Sequence, residues 1–550
     1  MSRHRNVKHM VDDYYDEEDD DYYYDDNYDD YDDSYVAPKA KPKAMNTPIN
    51  NKQVAKPQQP NKPIIKPPQV TTKPKSEPQS LTATSPSFTV HSTSTNSHTS
   101  APSPPVPEIL IREQNSHNTP LTVVILGHVD AGKSSVTGHL LYHHPSNNIK
   151  RNNNKQTPQY AWLLDEDEEE RAHGVTMDIA TKSLRTASGR LLVLQDAPGH
   201  ADYVPAAITG TALADAALLT VDVTDFATAF QAGQLREHAL LARGLGVSSL
   251  LLVLNKMDLI DWRQDIFVDV QQQLVEFLIS PQCGFAASKV RCVPVSAVNG
   301  ENIYTPMKDS WYTGPTLWEA LDRFDSTPQY RKLLEKPSRL LISDVVASTG
   351  SGVSVRAKVL QGWVQTNETV VVWPYGDETK LTKLQRFDVE SIDKERSQYA
   401  SAGELIDAVL TGVDAMRISP GQILTRPNQR PPLAKKCQAT IIVLSKQQNN
   451  NVIIRGAQVT FHMHSLDIPC HISKLHCTFK PGGSVLHEYP RALAAHGTSN
   501  VIALVGLTLQ VPICMQTFAD CRPLGRFVLR RAGDTIAVGR IEMVLEDSRD

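Results

Sequence analysis

Leu121-Thr122-Val123-Val124-Ile125-Leu126, followed at once by Gly127-His128-Val129-Asp130-Ala131-Gly132-Lys133-Ser134, decides the fold. The first six residues are an apolar run of strand length, and the next eight fit G-x-x-x-x-G-K-[ST]. Ser135–Tyr142 then continues with helical spacing. The pattern alone also arises by chance, but strand, glycine-rich loop and helix in that order is the arrangement that phosphate binding needs. Its glycines let backbone N–H groups, through that of Ser135, converge on phosphate, and the helix N-terminus adds its dipole. Lys133 would reach the β- and γ-phosphates, and the Ser134 hydroxyl would ligate Mg2+.

Working outward, short apolar runs recur at Leu191–Leu194, Ala216–Val221, Leu250–Leu254 and Val290–Val295, with helical segments such as Gln234–Leu245 between them. That alternation predicts a parallel α/β sheet. Three of the runs end on residues with chemistry. Asp196-Ala197-Pro198-Gly199-His200 puts a carboxylate at a strand's C-terminal edge, where it can hold Mg2+ through water. Gly199 has no Cβ to block its N–H from the γ-phosphate. In Asn255-Lys256-Met257-Asp258 the Asp258 carboxylate can accept both N1–H and N2–H of guanine, a donor pair that adenine lacks. Asn255 would support the loop and the base edge, and the Lys256 stem would cover the ring. Ser296-Ala297-Val298 would complete the pocket with backbone N–H groups near guanine O6. The expected nucleotide is GTP.

The alternation ends near Trp311–Phe324, a last helix entered at Gly314-Pro315-Thr316. From Pro337 the period becomes two: Val353, Val355, Ala357 and Val359 alternate with Ser354, Arg356 and Lys358. Turn signals at Gly350-Ser351-Gly352, Gly376-Asp377 and Pro420-Gly421 punctuate further strands such as Thr369–Trp373. Short strands of this kind predict a β-barrel or sandwich. A proline-rich break at Arg426–Pro432 precedes a second all-β stretch that runs to Met543. The expected architecture is an α/β P-loop domain over residues 118–336, then two β-barrels over 337–428 and 429–550.

Residues 1–117 read differently. Between Asp12 and Asp33 lie 14 acidic residues and 7 tyrosines, and 15 of the chain's 36 prolines fall between Val36 and Ser116. Neither stretch can bury enough apolar surface to offset the entropy lost on folding, so a disordered extension is expected. The acidic run is either a partner-binding segment or a solvating, self-repelling tail. It also hides the balance of the rest: the net charge is −5, but setting aside its 14 acids leaves 56 basic against 47 acidic residues. That mild basic excess suits a ribosome or RNA surface without requiring one, and no stable DNA binding is expected. Seven cysteines without a Cys-x-x-Cys pair point to a reducing compartment. Met1-Ser2-Arg3-His4-Arg5 lacks the apolar core of a signal peptide, and no run of 18 apolar residues occurs. A soluble, cytoplasmic protein with no membrane partner is the expectation.

Together these residues resemble the translational GTPase superfamily that includes elongation factor Tu, over about residues 118–545. Glu170-Arg171-x-x-Gly174-Val175-Thr176 is similar to that family's first switch, which implies that Thr176 joins Ser134 and Asp196 around Mg2+ while the γ-phosphate is present. Trp311-Tyr312-x-Gly314-Pro315-Thr316-Leu317 resembles the segment that closes its GTP-binding domain. The resemblance also implies that His200 is the catalytic residue, orienting the attacking water, with Val129 and Val175 as an apolar gate that holds it away until the ribosome acts. Such enzymes turn over slowly until a partner activates them.

Within the superfamily, Ala161-Trp162-x-x-Asp165, Glu169-Glu170-Arg171 and Gly174-Val175-Thr176-Met177-Asp178 are most similar to the HBS-like branch. So are Ser2-Arg3-His4-Arg5-Asn6-Val7 and the segment Gly525–Ala537. Ala172-His173 departs from the basic residue common before the glycine and leaves switch contacts to RNA less defined. This branch implies delivery of a Pelota-type, release-factor-like protein to the decoding site of stalled ribosomes. The GTPase would contact the small subunit and the GTPase-activating centre, with GTP/GDP and Mg2+ as cofactors. A monomer, or a heterodimer with that partner, is expected. A termination release-factor GTPase, a GTPase delivering aminoacyl-tRNA, and a non-hydrolysing GTP-dependent scaffold stay open as alternatives.

His462, His464, Cys470, His471, His476 and Cys477 invite a zinc reading. The alternation of Val459, Phe461 and Met463 with Thr460, His462 and His464 instead predicts a half-buried strand, and no two-cysteine hook is present.

Overall fold

The structure is a computed structural model, and it describes residues 104–115, 120–144, 179–200, 203–307, 311–324, 330–349, 352–386, 396–444, 452–480, 483–495 and 500–545. The acidic tail and the proline-rich stretch up to Ser103 lie outside the described residues. So do the switch residues 161–178, Val175 and Thr176 among them, and the turn residues Gly350 and Ser351.

Six strands form the first sheet: β1 (Leu121–Leu126), β2 (Ala180–Arg185), β3 (Leu191–Asp196), β4 (Ala216–Asp222), β5 (Ser249–Asn255) and β6 (Val290–Pro294). Their order is β2-β3-β1-β4-β5-β6, parallel except for β2, which runs antiparallel to β3 at the edge. Every residue of β1, β3, β4 and β5 is buried, because helices cover both faces. A strand buried on two faces reads as continuous apolar sequence, which is why these four are visible as runs. Val123 and Ile125 of β1 point into the layer that holds Val136, Leu140 and Leu317. Val124 and Leu126 point into the opposite layer with Leu235, Ala239, Val270 and Leu274. Helix Gln234–Leu245 ends at Gly246, whose φ of 112° suits a left-handed cap. Strand order reverses around β1, between β3 and β4, which opens a crevice at the C-terminal strand ends.

Strands Arg339–Thr349, Gly352–Gln361, Glu368–Trp373, Asp377–Arg386, Leu405–Thr411 and Ile423–Thr425 close into a barrel. Val353, Val355, Ala357 and Val359 face its interior, as the period of two requires. A second all-β unit is built from Leu433–Val443, Gln458–Met463, Leu466–Phe479, Val485–Glu488, Val501–Cys514, Arg526–Arg531 and Asp534–Leu545. Strand Gln458–Met463 pairs with both Leu466–Phe479 and Arg526–Arg531, closing a ring around the stacked Phe461 and Phe527, whose centroids lie 4.6 Å apart. The six histidines and cysteines of the zinc reading lie on this hairpin, with Cys470 opposite Val459 and His471 opposite Gln458. Among the described residues no three His, Cys, Asp or Glu side chains are grouped as a metal ion would need. Among them, too, no helix is long and apolar enough to cross a membrane.

The first barrel meets the α/β unit at the N-terminal ends of two strands, and the second meets it on two helices. Lys358 Nζ of the first barrel donates to Thr122 Oγ1 at 2.7 Å and approaches Asp215 Oδ2 at 3.4 Å, beside the N-terminal ends of β1 and β4. From the second, Val528 and Val538 pack on Val204, Ile208 and Leu241. Thr209 Oγ1 donates to the His464 carbonyl at 3.2 Å.

One expectation is corrected. Residues 104–115 are not part of a structureless extension: Glu108–Asn115 is a helix, with Leu110 N–H bonded to the Pro107 carbonyl at 3.0 Å. Val106, Ile109 and Leu110 pack on Leu334, Trp363 and Tyr399, so the end of the proline-rich stretch carries one apolar turn that the first barrel buries. Leu110 is fully buried. Leu110→Ala should remove about 2–5 kcal/mol from this one contact. An eight-residue helix has no other core to retain it. Tryptic cleavage at Arg112 should therefore quicken at least tenfold with little change in the global melting temperature. Unchanged cleavage would mean that Leu110 does not hold the helix.

Candidate nucleotide site

The loop after β1 enters the crevice and turns into helix Lys133–Tyr142. Asp130 and Gly132 take positive φ of 59° and 89°, the alternation that aims successive N–H groups into one concavity. Only glycine fits at 132, since a Cβ there would lie 2.2 Å from Asn255 Nδ2. Ser134 and Ser135 are half-buried in the first helical turn, Val129 is half-buried and His128 is buried. Lys133 is also buried, and its Nζ donates to the His128 carbonyl at 3.0 Å. Burial pushes the Lys133 ammonium below its ordinary pKa, a shift that the Asp196 and Asp130 carboxylates oppose.

Asp196 ends β3 directly across from Ile125, and Ala197 N–H bonds the Ile125 carbonyl at 3.3 Å. The carboxylate is fully buried. Three residues on, a Cβ at Gly199 would stand 2.4 Å from Lys133 Nζ and 2.9 Å from the Gly127 carbonyl. The missing side chain keeps that cradle open. His200 is exposed, its ring 5.9 Å from that of Tyr203, and its carbonyl accepts the Tyr203 N–H at 3.0 Å. The structure thus brings Lys133, Asp196 and the turn before His200 together.

On the other side Asn255 acts as a bracket. Its Nδ2 donates to the Ala131 carbonyl at 2.9 Å, and its Oδ1 accepts the Ala297 N–H at 3.0 Å. One amide ties the phosphate loop to the loop after β6. Asp258 is half-buried on the short turn Met257–Ile260, and the Met257 N–H bonds the Val295 carbonyl at 3.2 Å. Ser296 and Ala297 are buried, whereas Val298 is 64% exposed. Trp311 and Tyr312 buttress this side, with Trp311 Nε1 bonded to the Trp262 carbonyl at 2.6 Å and its ring 4.9 Å from Phe267.

Asp222 was not singled out in the sequence. It ends β4 beside Asn255, and its Oδ2 accepts from Lys256 Nζ at 2.6 Å. Burial alone would raise its pKa, but Lys256 and Thr224, hydrogen-bonded to it, hold the carboxyl below the usual range. Its signal was an acid closing an apolar strand on the loop side of the sheet.

The residues present fit a nucleotide polyphosphate with Mg2+. Lys133 and the concave loop match phosphate, the Gly199 cradle has room that a side chain would fill, and Ser134 with Asp196 offers hard oxygen donors. Such a site at the switch point of a parallel sheet, followed by two β-barrels, defines a P-loop nucleotide-binding protein of the translation-factor type.

Comparison with known proteins narrows this. The Elongation factor Tu GTP binding domain family matches residues 118–347, and the GTP-eEF1A C-terminal domain-like family matches 436–542. Protein HBS1 of Drosophila melanogaster is 35% identical over 449 residues, covering 78% of this chain; the chain spans 64% of that protein's own length. The elongation factor 1 alpha-like protein of Schizosaccharomyces pombe is 32% identical, with 80% of this chain and 72% of that one covered. Among solved structures, the S. cerevisiae Ski7 GTPase-like domain bound to GDP and inorganic phosphate superposes with a TM-score of 0.61 at 16% identity, over 78% of this chain and 99% of that one, a likeness of fold. The chain belongs to the translational GTPase family of elongation factor 1-alpha and its relatives. It carries that family's GTPase domain, whose cofactors are GTP or GDP and Mg2+.

Proposed function

We propose that the protein is a ribosome-rescue GTPase that brings a Pelota-type, release-factor-like partner to stalled ribosomes and hydrolyses GTP there, in the service of mRNA quality control. Domains over 118–336, 337–428 and 429–550 share the work, in the cytoplasm. The observation that carries the reading is the 35% identity to Protein HBS1 over 449 residues, 78% of this chain. Residues 161–178, which resemble the HBS-like branch, add to it.

In this reading Lys133 and the amides of residues 127–135 bind the phosphates. Ser134, Thr176 and, through water, Asp196 would hold Mg2+, which would supply neutralisation of the phosphate charge. Asp258 selects guanine. Gly199 lets the turn approach the γ-phosphate, and His200 orients the water that attacks it, releasing GDP and phosphate. The task is positioning and charge stabilisation.

A second reading, delivery of aminoacyl-tRNA or of a termination factor, draws on the 32% identity to the elongation factor 1 alpha-like protein. Affinity capture on the full chain loaded with a non-hydrolysable GTP analogue separates the two. Co-purification of Pelota with ribosomes is expected. Retention of charged tRNA or of the termination release factor, without Pelota, would overturn the rescue role.

A further inference from the structure

We propose that Asp222 is a positioning residue of the base pocket: its carboxylate holds the Lys256 ammonium, so that the lysine stem stands as a preformed wall beside the guanine. This rests on the assignment of Asn255–Asp258 to the base.

The geometry divides the carboxylate's two oxygens. Oδ1 accepts from Thr224 N at 2.8 Å and from Thr224 Oγ1 at 2.6 Å, which closes the turn after β4. Oδ2 is given to Lys256 Nζ at 2.6 Å. The strands deliver this pair: Asp222 lies opposite Asn255 in the β4–β5 register, and the Val223 N–H bonds the Asn255 carbonyl at 3.2 Å. The next residue, Lys256, takes a left-handed φ of 66°, which turns its side chain back along the strand ends. The carboxylate side chain is 6% exposed and the lysine 28% exposed, so the pair is shielded from solvent more than a surface ion pair is.

An unpinned lysine stem samples many rotamers, and a ligand that needs it in one of them must freeze it on binding. With Asp222 in place that ordering is complete before the nucleotide arrives, and preorganisation of this kind appears mainly as slower release. A second consequence concerns charge. The ammonium neutralises a buried carboxylate close to the phosphate loop, where an uncompensated anion would repel the nucleotide.

Asp222→Asn isolates the pin. The amide oxygen can still accept from Thr224, while the amide nitrogen meets Lys256 as donor against donor. The full-length chain is loaded with N-methylanthraniloyl-GDP and chased with excess GDP. Asp222→Asn and Lys256→Met should each speed release roughly tenfold, about 1.4 kcal/mol, and the double variant should be no faster than either single one. For Asp222→Asn the Michaelis constant for GTP on ribosomes should rise, with kcat at saturation within about twofold of wild type. Two single effects that multiply in the double variant would overturn the proposal, as would release from Asp222→Asn at the wild-type rate. A wild-type chain that releases the probe to excess ADP would sink the base-pocket assignment itself, and the proposal with it. Lys256→Met alters a side chain at the rim rather than the core, so if Asp222→Asn folds poorly this variant still decides: probe release from it at the wild-type rate would overturn the proposal.

Discussion

His200→Ala is expected to lower ribosome-stimulated GTP turnover by roughly a thousandfold, while GDP affinity stays within about twofold. The expectation follows from where the residue stands. Gly199 lies against Lys133 Nζ and the Gly127 carbonyl, so the next side chain along the turn is at the mouth of the phosphate cradle. His200 itself is exposed, its ring beside that of Tyr203. A residue so placed contributes little to ground-state binding and can contribute to the transition state once it is swung over the water, which lowers kcat without raising the dissociation constant. The helix that follows, Val204–Leu213, is the one the second barrel grips through Val528, Val538 and the His464 carbonyl. Whatever shifts that barrel therefore acts on the segment that carries His200. His200→Gln keeps a donor and an acceptor and should retain part of the rate. Single-turnover hydrolysis on purified ribosomes is the measurement, and equal rates for wild type and His200→Ala would remove the imidazole from the chemistry.

The parts of the molecule that could be read from the sequence are those in which local composition and tertiary environment say the same thing. Strands β1, β3, β4 and β5 are buried on both faces, and nothing in their sequences competes with that reading. Strand β2 went unread because it is an edge: Ala-Thr-Lys-Ser-Leu-Arg buries only Leu184 fully, so its sequence carries no run and little alternation. Helix Glu108–Asn115 was hidden for another reason. Its few apolar residues sit at the end of a proline-rich stretch, and what orders them is Trp363, more than 200 positions away. The glycine loop was legible because phosphate binding is done by consecutive residues. The Asn255 bracket spans 124 positions and the Asp222–Lys256 pair 34, and both depend on strand order and register. Motif chemistry survives as local sequence, while the contacts that hold the motifs at their working distance do not.

Lys133→Met should weaken GTP binding by roughly 10²–10³-fold, about 3–4 kcal/mol, the range for losing one partner of a buried charge-assisted contact. Methionine keeps most of the stem volume, so the loss reports the ammonium rather than a cavity. Lys133 is buried with its Nζ turned onto the His128 carbonyl, and burial has already lowered its pKa. That depression sets the sign of a pH effect. In the free protein part of the lysine population loses its proton at a pH below the ordinary value of 10.5. Bound phosphates favour the ammonium and raise its pKa again. Between those two values binding takes up a proton, so affinity is full below the free-state pKa and falls as pH rises towards the bound-state one. The methionine variant has no proton to take up, so it should be weaker and show only the alkaline loss, common to both proteins, that ionisation of guanine N1 brings. Titrating a fluorescent GTP analogue into both proteins from neutral pH to about pH 10 measures the two predictions together. A wild-type affinity that falls with pH no more than that of the methionine variant would show that Lys133 keeps its proton in the free site, against the direction that its burial imposes.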